Sequence, residues 1–362
     1  MSRDELHMRR ALVLARKGYG RTSPNPMVGA VVVKSGRVLG EGWHRRAGAA
    51  HAEVEAINAA GDCRGATLYV TLEPCSTQGR TPPCVDAILS AGIRRVVAAT
   101  VDPNPVHAGK AFRRLRRNGV KVAKDILAAE AVELNAAFNH WIVHGTPLVT
   151  VKAAMTLDGR IATASGESKW ITGPAARREG HRLRKGNDAI LVGINTVLAD
   201  DPSLTVKGKL KARPLRRIIL DSSARIPLKS RVLNDDLAAA TTVVVTKKAP
   251  KRRVKALGER ALVAPARKGQ VDLRWLLQQL GREEVSSLLV EGGGEVNASF
   301  LEAGLAQRVA FFYAPKIIGG ESARRAVAGR GVRSLGEVMR LDDAQWQRVG
   351  VDLMLTARVV AA

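Results

Sequence analysis

The chain has 362 residues, 46% hydrophobic but only 4% aromatic, which predicts two domains with largely aliphatic cores. No window approaches the ~18 apolar residues of a membrane span. The charged N-terminus, Met1 to His7, lacks the apolar stretch of a secretory signal, so a cytoplasmic protein without membrane partners is expected. A net charge of +25 favours anionic partners, phosphorylated metabolites as readily as nucleic acid.

Residues 4–17 read as an amphipathic helix, and Val28–Lys34 with Arg37–Glu41 as a hairpin turning at Ser35-Gly36. A helix is predicted from about His51 to Ala60, a strand over Thr67–Leu72, and a helix from about Cys84 to Ala91 that Gly92 stops. Arg94–Val101 reads as a strand, roughly Gly109–Asn118 as a basic helix, and Ala128–Val143 as a further helical stretch. Alternation of this kind implies an α/β fold, a sheet covered by helices on both faces. A seam near 144–148 divides the chain into expected domains 1–145 and 146–362. The second half repeats the alternation, with strands near 188–192, 215–220, 241–245, 286–290 and 308–313.

The chemistry concentrates at His51-Ala52-Glu53, Pro74-Cys75 and Pro83-Cys84. His51, Cys75 and Cys84 offer one imidazole and two thiolates, a zinc set with its fourth position open, as catalytic sites have. Zinc lowers the pKa of its water from about 15.7 to about 7. The order H-x-E then P-C and C is that of zinc nucleobase deaminases, in which the glutamate, here Glu53, moves protons and does not bind metal. Residues two apart lie about 200° apart around a regular helix, so His51 must stand at the helix start. A closed structural zinc would have no use for Glu53.

Among neighbouring groups, Glu55 reads as a helix-face charge and Glu73 as a capping or supporting carboxylate. His44, in a loop leading into the site, reads as a substrate contact. Three cysteines make no disulfide framework, and Cys63 is incidental. Eight residues separate Cys75 from Cys84, where nucleic-acid deaminases usually carry two. Arg80 in that longer loop is placed to meet a phosphate.

In the second half, a strand over Ser286–Val290 leads through Glu291-Gly292-Gly293-Gly294-Glu295 into a helix. Glycines there let backbone N–H groups approach a phosphate at a helix start; a plain turn is the equal alternative. The spacing does not match Gly-x-Gly-x-x-Gly, which excludes a Rossmann domain.

Several stretches together resemble one known family, the bifunctional riboflavin-biosynthesis deaminase–reductases. They are Pro24-Asn25-Pro26-Met27-Val28-Gly29, His51-Ala52-Glu53, Thr71-Leu72-Glu73-Pro74-Cys75, Gly79-Arg80-Thr81-Pro82-Pro83-Cys84 and Asp102-Pro103-Asn104-Pro105. The second half adds the run Lys152 to Arg160, Ser165 to Thr172, Asp200 to Thr205, and Glu291-Gly292-Gly293-Gly294. The resemblance implies a cytidine-deaminase-like three-layer α/β domain followed by a dihydrofolate-reductase-like α/β domain. It implies zinc and NADPH as cofactors, a phosphorylated pyrimidine as substrate, no nucleic acid, and a homo-oligomer. The implied reactions are deamination of a diamino-ribosylamino-pyrimidinone 5′-phosphate, then reduction of its ribosyl group to ribityl.

By the same resemblance, Asn25 and His44 hold the pyrimidine ring. Ala154, Trp170, Thr196, Asp200 and Ser222 contact NADPH, joined by Gly293, Gly294 and Glu295 if the turn is a cradle. Ser168, Arg184, Leu204, Lys207 and Glu291 contact the ribosyl phosphate, with Arg184 and Lys207 suited to the phosphate itself. Asp200 is the best candidate for a proton donor in the reduction. The chain departs from the family at Thr77, often histidine, and at Lys207, commonly arginine, where the charge stays but bidentate geometry is lost. Arg177, Arg178, Arg182 and Lys185 read as a solvated helix face, and Trp170 without the resemblance reads equally as a core residue. The remaining alternative is a tRNA-type zinc deaminase whose basic second half grips nucleic acid; the cysteine spacing and the glycine turn oppose it.

Overall fold

The computed structural model describes residues 1–78, 82–206 and 214–360. Arg80 and Lys207, both expected at the site, lie outside the described residues. The chain forms two compact units, Met1–Gly145 and Thr146–Ala362.

In the first unit the elements run α1 (Arg3–Arg16), β1 (Gly29–Lys34), β2 (Arg37–Trp43), α2 (Ala52–Ala60), β3 (Thr67–Val70), α3 (Cys84–Ser90) and β4 (Arg95–Ala98). They continue with α4 (Lys110–Arg117), β5 (Lys121–Ala123), α5 (Ala128–Leu134) and α6 (Ala136–His144). The strands order as β2-β1-β3-β4-β5. The hairpin and β3 pair antiparallel with β1; β3, β4 and β5 are parallel.

Period-two alternation sends β1 side chains to two cores. Ala30 and Val32 meet α2, α3 and α4 through Ala52, Ala56, Ile88 and Leu115. Val31 and Val33 meet α1 through Met8 and Leu12. The result is a three-layer sandwich. Its closest seam is α2 on β2: a Cβ on Gly40 or Gly42 would lie 2.3 Å from the Ala56 or Ala52 carbonyl oxygen, so only glycine lets the helix come this near. That contact seats the start of α2, where His51 and Glu53 reside.

One expectation changes. The helical stretch 128–143 is two helices, because the Asn135 side chain turns aside to the Met27 backbone, accepting from its N–H (2.8 Å) and donating to its carbonyl (2.9 Å).

The second unit runs β6 (Leu148–Thr156), β7 (Arg160–Ala162), α7 (Pro174–Gly186), β8 (Ala189–Gly193), α8 (Ile194–Asp200), β9 (Arg216–Leu220), α9 (Arg231–Asn234), β10 (Thr241–Val245), α10 (Lys251–Leu257) and β11 (Ala261–Val263). Then come β12 (Ala266–Arg267), β13 (Gln270–Val271), α11 (Leu273–Arg282), β14 (Ser287–Val290), α12 (Gly294–Glu302), β15 (Arg308–Ala314), β16 (Arg324–Arg325), β17 (Leu341–Val349) and β18 (Asp352–Val359). Nine strands order as β11-β10-β9-β8-β14-β6-β15-β18-β17. The first seven are mutually parallel, and β18 and β17 close the sheet antiparallel.

Near-continuous aliphatic runs in β8 and β14 are buried on both faces, as a parallel sheet requires. Leu191, Leu288 and Val290 pack on Leu276, Leu280 and Phe300 of α11 and α12. Ile190, Val192 and Ile219 pack on the other side with Ile194 and Val197 of α8. Among the described residues no helix is long and apolar enough to cross a membrane.

Candidate active sites

The first site is built where β3 ends and α2 and α3 begin. The residue after Leu72 is Glu73, buried, whose carboxylate accepts from the backbone N–H groups of Asp102 (3.1 Å), Gly109 (2.8 Å), Ala111 (3.0 Å) and Phe112 (3.4 Å). Glu73 thus caps α4 and pins the segment that carries Cys75. Cys84 opens α3 behind the N-cap Pro83, and its N–H donates to Cys75 Sγ at 3.2 Å. His51 is the extended N-cap residue of α2, with φ −75° and ψ 159°. This irregular position lets His51 and Glu53 face one point.

His51 Nδ1 lies 3.1 Å from Cys84 Sγ and 3.5 Å from Cys75 Sγ, and the three ligand atoms all fall within 4.8 Å of one another. One ring nitrogen and two sulfurs at this separation fit a tetrahedral zinc with one protein position missing. The Cys75 thiol is pushed down to about 4, by its hydrogen bond with Cys84 against the cost of burial, with His51 adding to the effect. Cys84 is pushed the other way by the same partner and by burial. One thiolate is ready, and the metal would displace the other proton.

Glu53 is only 3% exposed, and burial raises its pKa, with His51 opposing. His44 is buried too, its Nδ1 3.1 Å from the Ala50 carbonyl oxygen, so that nitrogen carries the proton. Asn25 Nδ2 then donates to His44 Nε2 at 3.1 Å. Burial lowers the His44 pKa and keeps the ring neutral. Glu55 meets Arg45 at the surface (3.3 Å).

The second site is a cleft of 1310 Å³ along the carboxyl ends of the parallel strands, where open α/β sheets take ligands. Of the expected residues, Ser168, Thr196, Asp200, Ser222, Gly293, Gly294 and Glu295 line it. Ala154 sits on β6 beside Phe312. Trp170 is 64% exposed with the Arg177 guanidinium over its ring at 4.7 Å, so it is no core residue. Asp200 meets Lys169 at 3.2 Å.

The three glycines divide their work. A Cβ on Gly292 or Gly294 would strike Val296 or the Arg325 carbonyl oxygen, at 2.5 and 2.3 Å, whereas Gly293 has open space. Gly293 is the N-cap of α12, so its neighbouring N–H groups remain available to an anion.

Arg184 and Glu291, both expected to meet substrate, meet each other through two hydrogen bonds of 2.7 and 2.9 Å. Arg184 also donates to the Thr205 carbonyl (3.2 Å). Leu204, 3% exposed, is held with φ +51° next to it. Sequence reasoning missed Lys152, whose ammonium stands 3.5 Å from Glu291; its place within the Lys152–Arg160 stretch was the available signal. It also missed the cations of the cleft wall, Arg225, Lys248, Arg324 and Arg325.

A zinc-site deaminase unit of the cytidine-deaminase type and an α/β reductase unit are thus joined in one chain. Residues 1–100 match the cytidine and deoxycytidylate deaminase zinc-binding region, and residues 147–355 match the RibD C-terminal domain. Riboflavin biosynthesis protein RibD of Aquifex aeolicus is 44% identical over 97% of this chain and 97% of that protein. RibD of Escherichia coli is 41% identical over 97% and 98%. Among solved structures, Acinetobacter baumannii RibD superposes with a TM-score of 0.88 at 35% identity. A diaminohydroxyphosphoribosylaminopyrimidine deaminase/5-amino-6-(5-phosphoribosylamino)uracil reductase from Thermotoga maritima superposes at 0.85 with 36% identity. Each alignment covers 99% of both chains.

The chain belongs to the RibD family of riboflavin-biosynthesis deaminase–reductases. It is an enzyme of two activities, hydrolase and oxidoreductase, with zinc and NADPH as cofactors. The nucleic-acid deaminase reading is not favoured, since the basic second half matches a reductase domain.

Proposed function

We propose that residues 1–145 deaminate 2,5-diamino-6-ribosylamino-pyrimidinone 5′-phosphate, and that residues 146–362 reduce the deaminated ribotide to 5-amino-6-(5-phosphoribitylamino)uracil. The observation that carries this reading is Glu53, a carboxyl kept buried beside a convergent nitrogen and two sulfurs. Zinc, when bound by His51, Cys75 and Cys84, supplies a water of lowered pKa. Glu53 holds the proton taken at the attacking side and returns it to the departing amino group, a role worth about 10²–10⁴-fold. Burial makes that carboxyl a willing proton carrier. Neutral His44, its Nδ1–H committed to the Ala50 carbonyl, has only Nε2 to offer the pyrimidine edge, as an acceptor, and Asn25 holds the ring with it. Arg80 meets the substrate phosphate.

In the second unit NADPH, when bound, supplies the hydride. Gly293, Gly294 and Glu295 face its phosphates and ribose, Thr196, Asp200 and Ser222 its length, and Ala154 and Trp170 its nicotinamide end. Ser168, Arg184, Leu204, Lys207 and Glu291 position the ribosyl phosphate, with the Arg184–Glu291 pair fixing one wall. Such a transfer depends on alignment more than on a strong acid or base; Asp200 is the proton donor if one is needed.

The protein works in the cytoplasm as a homo-oligomer. The exposed edge strand β17, with Trp346 60% exposed, leaves a backbone edge and an aromatic ring for a second copy to cover. Incubating the purified protein with the diaminopyrimidinone ribotide, with and without NADPH, tests the whole reading. Ammonia should appear in both samples and NADPH should be consumed in the second; ammonia formed equally by zinc-free protein would contradict it.

A further inference from the structure

Met27 lies between Asn25 and β1, in a stretch where Pro24 and Pro26 bring no backbone N–H. The Asn25 N–H closes a turn on the Thr22 carbonyl at 2.9 Å. Gly29 is tied to Thr71, donating to its hydroxyl and accepting from its N–H, each at 3.1 Å. Between these two anchors the Met27 N–H and carbonyl are both met by one side chain, the amide of Asn135. That residue is 4% exposed, and its amide pairs with the peptide as a neighbouring strand would.

The segment so held stands next to the metal ligands. His44 is fixed from both sides of Met27: its backbone N–H donates to the Val28 carbonyl at 2.9 Å, and its Nε2 accepts from Asn25 at 3.1 Å. Its Nδ1 donates to the carbonyl of Ala50, the residue before His51, and the two imidazoles meet edge-on with centroids 5.4 Å apart. Asn25 spends one N–H on His44, which leaves its second N–H and its amide oxygen to a ligand. A run of contacts thus leads from the junction of α5 and α6 to the zinc set, while Glu53, Cys75 and Cys84 stand on other segments.

We propose that Asn135 is a positioning residue of the deamination: it touches no substrate, but by gripping Met27 it sets where Asn25 and His44 stand beside the metal. This step rests on the reading of the first unit as a pyrimidine deaminase. An asparagine that served the helix junction alone would bond within α5 and α6; both bonds of this side chain go instead to the peptide that lies between the two holds on His44. Release of Met27 lets Asn25 and His44 shift, and a displacement of about 1 Å in a positioned site can cost up to ~100-fold.

Steady-state deamination by two variants tests the assignment. Asn135→Asp keeps the acceptor for the Met27 N–H and gives up the donor to its carbonyl; Asn135→Ser is too short to span both. In each, KM for the diaminopyrimidinone ribotide should rise about tenfold with kcat changed less than about twofold. Zinc content and reduction of the deaminated ribotide should stay as in the unmodified chain. Hydrogen exchange over residues 19–28, followed by mass spectrometry, should quicken. Asn139→Ala is the control: it removes a bond of α6 to the Val132 carbonyl (3.2 Å) without touching Met27, and should lower the melting temperature while leaving KM and that exchange alone. An unchanged KM in the folded Asn135 variants overturns the proposal, as does an equal rise in Asn139→Ala. Variants that do not fold, or that lose reduction together with ammonia release, show a role in folding and overturn it too. An unmodified chain that releases no ammonia from the ribotide refutes the deaminase reading itself.

Discussion

Glu53, buried, and Glu291, its side chain 10% exposed, both stand beside a reaction site, one in each unit, and their carboxyls are pushed in opposite directions. Burial raises both. For Glu53 the opposing influences, His51 first and then hydrogen bonds with its own backbone N–H and with Cys84, do not outweigh burial, and the carboxyl stays above its ordinary range. For Glu291, Lys152 and Arg184 outweigh burial and hold it at about 2. Residue type and burial therefore do not set a glutamate's role; the charges sharing its pocket do. The first unit keeps a carboxyl able to take up and release protons. The second fixes a permanent anion between two cations, a wall rather than a proton carrier.

The largest effect that sharpens this contrast comes from the metal ligands. Cys84→Ala should abolish zinc retention and ammonia release while leaving reduction of the deaminated ribotide intact, as metal analysis and separate assays would record. Retained zinc would place the metal elsewhere.

Glu291→Gln is the counterpart in the second unit. It leaves Arg184 and Lys152, less than a fifth exposed, without their anion, a loss of up to about 3 kcal/mol, the low end for breaking a buried pair. Calorimetry should show the second unit melting earlier with ammonia release unchanged. Acid offers a gentler version. The folded carboxyl ionises at about 2 against its ordinary 4.5, so between these values the unfolded chain binds the extra proton. The stability Glu291 contributes is whole above pH 4.5 and is lost as pH falls towards 2. Acid unfolding in the Glu291→Gln protein should lose that slope; an unaltered slope would deny the ion pair its role.

The smallest effects separate neighbouring glycines. Gly294→Ala forces a Cβ to 2.3 Å from the Arg325 carbonyl oxygen and should cost about 1–3 kcal/mol. Gly293→Ala meets nothing within 4 Å and should leave the melting temperature unchanged while raising KM for NADPH. Equal losses of stability in the two variants would remove the distinction between a packing glycine and a binding one.

The two sites also differ in how far the sequence reveals them. His51, Glu53, Cys75 and Cys84 come from three short segments whose order carries the chemistry, and the helix geometry alone demands that His51 open α2. The hairpin at Ser35-Gly36 and the buried strands were equally readable, because alternation and positive-φ turn residues are local signals. Asn135 splitting a helical run was not, since its partner Met27 is distant in the chain. The edge strand β17 is exposed and polar, without clear alternation. Helix α11 carried a readable sign in its N-cap Asp272, which accepts from the Arg274 and Trp275 N–H groups. The cleft is assembled from the ends of strands far apart in sequence, so Arg225 and Lys248 gave no joint signal, and the Arg184–Glu291 pairing had none either.

The most direct test follows NADPH oxidation by a Glu53→Gln protein given the diaminopyrimidinone ribotide or, separately, its deaminated form. The account predicts rapid oxidation with the deaminated form and almost none with the other, whereas the unmodified chain consumes NADPH with both. Oxidation by the variant at the unmodified rate with the undeaminated ribotide would contradict the part assigned to Glu53.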